Sequence, residues 1–372
     1  MARSRHFGRA LSLALVTTLP GVAQGALRIE QPARIMPSGS WSAEFAAFAF
    51  SDPIPLNGLL KHWEGGLSTS ASPKVYGSWG SRIDAALGPW NCSTWDLTTV
   101  LGELSPDGAK LLWLTKQKRP LPIGETFQAG LSIDALHRTG VSVGRAWRVG
   151  NLTLGADLRW WTATGAQFGT IQGLASATGT KTYTFDFNVN YIYNQNRLYN
   201  LPVPSERGWG QGLSLGASWS GEDWEWQAAA RDIGNQTRWA HLPVTLASAL
   251  SNRSHVDASG YTLFDPSIEG WEGERPYTVR EPIAWKTVLT KQFGGIKALV
   301  QLEKVGPISL STIEAAFSPL PGLQTTLGYE ARNHLWALGW AYGGAWLQVG
   351  ASSLSWYRTK GLQVATGIKG RW

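Results

Sequence analysis

Only one of the 372 residues is a cysteine, Cys92, so no disulfide can form within the chain, and this lone thiol reads as a small buried or loop residue. Beyond residue 25 no stretch reaches roughly 18 consecutive apolar residues, which excludes a membrane-spanning helix. Charged residues make up 16% of the chain and the formal net charge is +7, a mild and mixed balance that does not describe a nucleic-acid-binding surface. The six histidines show no metal-ligand spacing. Gly208-Trp209-Gly210-Gln211-Gly212 runs into a strand pattern, which argues against a phosphate-binding loop. Neither a metal nor a cofactor is expected.

Glycine, at 43 residues, and tryptophan, at 21, are abundant. Both suit a wall of closely paired strands with aromatic residues at two water interfaces. Residues 1–25 have the three parts of a secretion signal: Arg3, Arg5 and Arg9, then the apolar run Leu11 to Leu19, then Ala23-Gln24-Gly25. Their removal takes three positive charges and no negative one, lowering the net charge from +7 to +4. No cysteine follows the apolar run, so a lipid anchor at the new amino-terminus is not expected. Residues 26–73 are the least regular part, holding Pro53, Pro55 and Pro73. Within them Trp41 to Phe50 reads either as a first strand or as part of a plug. Residues 74–372 read as one domain.

The last stretch, Gly361 to Trp372, alternates strictly. Leu362, Val364, Thr366, Ile368, Gly370 and Trp372 share one face of an extended strand, while Gln363, Lys369 and Arg371 lie on the other. This alternation, closing on an aromatic carboxy-terminus, resembles the final strand of Gram-negative outer-membrane β-barrels, where the last residue is usually Phe. The resemblance implies an all-β fold, a closed antiparallel transmembrane barrel in the bacterial outer membrane. It also implies contact with outer-membrane lipid and lipopolysaccharide, and assembly by machinery that reads Trp372 as an address.

The same alternation recurs along the chain. Strands are expected at Lys74 to Leu87, Phe127 to Ala135, Thr139 to Arg148, Leu152 to Trp160, Leu213 to Trp219 and Trp224 to Ala230. The clearest is Thr182 to Asn194, with Tyr183, Phe185, Phe187, Val189, Tyr191 and Tyr193 on one face, expected to cross the membrane facing lipid. Pro89 to Pro122 is expected as a loop with a short strand near Leu111 to Leu114, and Ile233 to Pro282 as a long outer loop. Seven further strands follow from Ile283, for a total of about 14, each roughly 10 residues long. Counting back from a periplasmic carboxy-terminus puts the tight Val149-Gly150-Asn151 turn outside and the Thr162 to Lys181 connection inside, against the usual rule. One strand is therefore missed or invented between Thr162 and Gly208, and a barrel of about 16 strands using Trp41 to Phe50 is the alternative. In plan the chain is similar to the long-chain fatty-acid transporter family, whose amino-terminus plugs the barrel.

Strand parity assigns Arg82, Asp84, Asp134, Asp157, Arg159, Asp186, Lys297, Glu303, Lys369 and Arg371 to the inward face. Both charge signs occur there, as in a water-filled pore or in a closed interior of paired residues. Catalysis would have to come from His137, His241, His334 or His255 in Ser254-His255-Val256-Asp257. None lies in a catalytic motif, and no enzyme activity is expected. The function expected is a restricted or gated channel for a small solute. The alternative is a non-conducting scaffold or anchor of an envelope structure.

Overall fold

The structure, a computed structural model, describes residues 32–33, 38–60, 66–67, 73–179, 182–194, 206–251, 254–256, 262–264 and 268–372. The expected secretion signal lies outside them. Among the described residues no helix is long and apolar enough to cross a membrane.

The chain runs β1 (Ser40–Ser51), α1 (Leu56–Leu60), β2 (Lys74–Leu87), β3 (Trp90–Leu104), α2 (Pro106–Lys116), β4 (Thr126–Val149), β5 (Leu152–Gly179), β6 (Thr182–Tyr193), β7 (Gly208–Ser220) and β8 (Trp224–Leu250). A two-stranded hairpin, β9 (Ser254–Val256) and β10 (Thr262–Phe264), precedes β11 (Ile268–Val279) and β12 (Ala284–Phe293). Then come β13 (Ile296–Val305), β14 (Ile308–Leu320), β15 (Leu323–Glu330), β16 (Leu335–Tyr342), β17 (Ala345–Ala351) and β18 (Gly361–Arg371). β1 pairs with β18 from Ser40 opposite Arg371 to Phe50 opposite Gly361, which closes the sheet into an antiparallel barrel. Among the described residues each strand of this sheet pairs on both sides except β11, which pairs only with β8.

Sixteen segments belong to this sheet, yet the wall has 14 positions. β6 and β7 lie end to end between β5 and β8: β7 pairs with Leu152 to Ala163 of β5, and β6 with Gln167 to Gly179. β11 and β12 likewise share the other side of β8. This resolves the parity conflict. Thr162 to Lys181 is largely the upper half of a 28-residue strand rather than a connection, and Val149-Gly150-Asn151 turns at the end of the barrel where Trp372 lies. Gly150 has φ +60, the left-handed conformation that a two-residue hairpin turn demands. Trp41 to Phe50 is a wall strand, but within a wall of 14 rather than 16.

Other expectations are corrected in the same way. Phe127 to Ala135 and Thr139 to Arg148 are one 24-residue strand. The expected loop Pro89 to Pro122 is β3 followed by α2, so Leu111 to Leu114 is helical. Ser105 caps that helix by accepting from Gly108 N at 2.9 Å, and Pro106 occupies its first turn. Much of the expected loop Ile233 to Pro282 is strand, because β8 runs on to Leu250 and β11 pairs with it.

Side-chain contacts identify the two faces. Arg138 of β4 meets Asp232 of β8, and Phe48 and Tyr76 pack with Ile308 and Leu335, although their strands are not neighbours in the sheet. Such contacts must cross the interior. The opposite face carries Ile83, Val141, Leu158, Leu289, Val300 and Ile313, all exposed.

The upper parts of β4, β5 and β8 rise beyond the barrel and form an extension with β6 and β11. Here the outward face is covered. Ile54, Leu56, Leu59, Ala109 and Leu112 bury Val75, Leu104 and Ile133, while Phe187 is buried with Ala129, Ala175 and Ala249. The aromatic face of Thr182 to Asn194 thus packs largely against protein, and β6 sits above β7 instead of crossing alone.

Candidate functional site: the closed interior of the barrel

The strict alternation of β8 breaks at Arg231-Asp232. Asp232 has φ +63 and Gly234 φ +59, and the pairing with β7 shifts register between Gln211 and Leu215. A bulge of this kind re-aims side chains. Both Arg231 and Asp232 are buried, at 3% and 2% exposure, and Asp232 accepts from Arg231 Nε at 2.9 Å.

Two further guanidinium groups converge on this carboxylate. Asp232 Oδ1 lies 3.4 Å from Arg159 Nη1 and 3.5 Å from Arg138 Nη1. Arg138 also pairs with Glu281, which stands in the break between β11 and β12. Asn235 braces both acids: its Nδ2 donates to the carbonyls of Asp232 and Glu281 at 2.6 Å, and its Oδ1 accepts from Glu281 N at 2.9 Å. Against the guanidinium groups lie Trp95 and Trp161, whose rings are 5.9 Å apart. Arg159 Cζ is 4.4 Å from the Trp95 centroid and Arg138 Cζ 5.2 Å from that of Trp161. Buried charge is tolerated where it is paired, and ring faces add attraction for the cations. Three arginines from β4, β5 and β8 and two acids thus form a layer across the interior.

Around this layer the interior changes character. Toward the upper end it is apolar and aromatic: Phe168 lies 5.5 Å from Tyr277 and 6.2 Å from Trp239, with Ile192, Leu242 and Val244 beside them. Toward β14 and β16 the lining is Phe48, Phe50, Tyr76, Ile308 and Leu335. Toward the lower end a cavity of about 240 Å³ is lined by Glu225, Gln227, Lys286, Thr290, Lys297 and Gln301. There Pro32 and Ala33 lie inside the barrel against Gly155, where a Cβ would run into the Pro32 carbonyl. The irregular segment therefore divides between roles: residues 32–33 fill the lower interior, residues 40–51 build wall, and α1 packs outside. At the upper rim Asp52 holds Arg332 at 2.8 Å and its carbonyl accepts from Lys360 Nζ at 2.7 Å. Burial lowers the Lys360 pKa and Asp52 opposes this.

Of the residues singled out from sequence, Arg159 belongs to the central layer, and Asp157 is buried on the same face two positions below it. Arg82 pairs with Asp84 at 2.6 Å, and Lys297 with Glu225 at 3.2 Å. Glu303 is buried, accepting from Gln301 at 3.3 Å. Asp134 and Asp186 are exposed on the extension, and Lys369 and Arg371 are exposed at the lower end of β18. The sequence reading did not single out Arg138, Arg231, Asp232 or Glu281. The adjacent opposite charges of Arg231-Asp232 just before Gly234 were the available signal, a break in an otherwise regular strand.

His137 lies on the outward face, its Nδ1 2.8 Å from Thr98 Oγ1 and its Nε2 3.4 Å from Asp96. Thr98 is buried, at 7% exposure. His334 contacts Tyr329 at 2.7 Å, and the side chain of His255 lies outside the described residues. Among the described residues no group of three or more metal-ligating side chains comes together.

No protein-family model matches the chain, and no curated protein sequence does. Among solved structures it is similar to the toluene transporter TbuX of Ralstonia pickettii, at 11% identity and a TM-score of 0.47 over 92% of each chain. It is also similar to the toluene transporter TodX of P. putida, at 12% identity and a TM-score of 0.44, covering 92% of this chain and 91% of that one. A deletion variant of the TodX monoaromatic hydrocarbon channel gives 13% identity and a TM-score of 0.49, covering 91% and 92%.

Proposed function

We propose that this barrel sits in a Gram-negative outer membrane and passes a small, uncharged or weakly charged solute along a restricted path, without covalent chemistry. The apolar outward face supports the membrane setting, as do exposed tryptophans near both ends of the wall: Trp90, Trp147 and Trp219 below, Trp160, Trp285 and Trp336 above. Lipopolysaccharide and the barrel-assembly machinery are the partners this setting supplies.

The observation that carries the restriction is the contact of Arg138 with Asp232 and Glu281 across the interior. A solute entering past Phe168, Trp239 and Tyr277 meets an apolar lining first and then a paired ionic layer. The charges there have both signs, so strong ion selectivity has no source. A filled interior also favours a second reading, a non-conducting scaffold.

Planar-bilayer recording separates the two. A channel closed by the ionic layer gives small or intermittent conductance that rises in Arg138→Ala. Silence in both proteins, with folded barrel present, overturns the channel and leaves the scaffold.

A further inference from the structure

We propose that the outward face at the upper edge of the apolar belt, between β5 and β11, binds the phosphates of an anionic glycolipid in the outer leaflet. This rests on the membrane setting proposed above. The register lays out the face in rows. Val143, Leu158, Leu213 and Ile233 lie side by side and form an apolar row. In the next row up Val141, Trp160, Gln211 and Gln236 are neighbours, and above them come Thr139, Thr162, Trp209, Arg238 and Thr278. The surface thus passes from aliphatic to amide, hydroxyl and guanidinium within two rows.

Two more arginines join Arg238. Arg280 follows Val279, which pairs with inward-facing Thr237, so alternation turns it outward. Arg207 precedes Gly208, whose inward side meets the Trp239 ring, so it too points outward. All three arginines are exposed. Strands about 4.8 Å apart bring side chains of this length within reach of one phosphate, which guanidinium groups grip in bidentate fashion. Beside Arg238 lies a groove of about 590 Å³, lined also by Thr139, Trp160, Trp209, Gln211 and Gln236. The exposed Trp160 and Trp209 rings, at 45% and 68%, suit the headgroup level. On the same face the Asp96 carboxylate is engaged by Thr139 at 2.8 Å and His137 at 3.4 Å. A soluble anion has no use for the aliphatic row beneath, whereas acyl chains cover it.

The test uses full-length folded barrel in detergent, with diphosphoryl lipid A, its dephosphorylated form and inorganic phosphate as probes, read by native mass spectrometry. Binding of the diphosphoryl form is expected to weaken about tenfold or more in Arg238→Gln/Arg280→Gln and to fall with salt in the wild type. Equal binding of both lipid forms, equal binding by the variant, or wild-type binding unchanged by salt would overturn the site. Saturation by inorganic phosphate alone would overturn the lipid assignment. Flotation of wild-type protein with vesicles is measured in parallel: failure to insert sinks the membrane setting and the site together, whereas insertion without phosphate-dependent binding sinks the site alone. If the double variant does not fold, the salt dependence and the dephosphorylated probe still decide.

Discussion

Arg138 and Glu281 stand 143 positions apart in the chain and pair inside the barrel, the arginine on β4 and the acid in the break between β11 and β12. Arg138 is wholly buried. Removing one partner strands the other charge, so Arg138→Ala should destabilise by roughly 3 to 5 kcal/mol, and Glu281→Gln by a comparable amount. The double variant should cost clearly less than the sum. Urea unfolding of folded barrel measures all three, and additive costs would show that the pair is not coupled.

Phe187 and Leu158 share the outward face but not its surroundings. Leu158 is 54% exposed within the apolar belt, and Arg there should cost about 2 to 4 kcal/mol in a bilayer if the site lies near the midplane. Phe187 is 6% exposed, packed with Ala129, Ala175 and Ala249. Phe187→Ala should cost about 3 to 5 kcal/mol through a cavity. That cost should be the same in thick and thin bilayers, and refolding in lipids of graded chain length would reveal a dependence.

Gly155 receives Pro32 and Ala33 in the lower interior. Gly155→Val leaves no room for the Pro32 carbonyl and should displace the segment, raising single-channel conductance. Deleting residues 26–37 should do the same. Deleting the whole of residues 27–73 would not test this, because it removes β1 and opens the seam with β18. Unchanged conductance in both variants would show that residues 32–33 do not narrow the path.

Trp372 N donates to the Gly39 carbonyl at 2.9 Å, tying the end of the chain to the start of β1 at the closing seam. Deleting Trp372 should lower the amount of heat-modifiable folded barrel in membrane fractions more than it lowers export from the cytoplasm. Normal levels of folded barrel would count against an assembly role for this residue.

The period-two alternation in the sequence was enough to mark strands with one apolar face, and the resemblance of the terminal strand implied the closed antiparallel barrel that the pairing of β1 with β18 completes. A strand with one apolar and one polar face has its place in such a wall, and closing the wall pairs its first strand with its last. The terminal strand shows this most plainly, since Leu362, Val364, Thr366 and Ile368 lie on the outward face that their spacing implies. Alternation is a local property, however, and is silent about height. Nothing in Tyr183 to Tyr193 distinguishes a strand that crosses the wall from one stacked above β7. Only the pairing of β5 with both segments decides that, through contacts far apart in sequence. The same holds for the site. Parity placed Arg159 and Asp157 inward, but which acid Arg159 meets depends on a bulge at Asp232 and on a break at Glu281. Hydrogen bonding across the closed barrel brings these together, and no periodicity along a single strand encodes it.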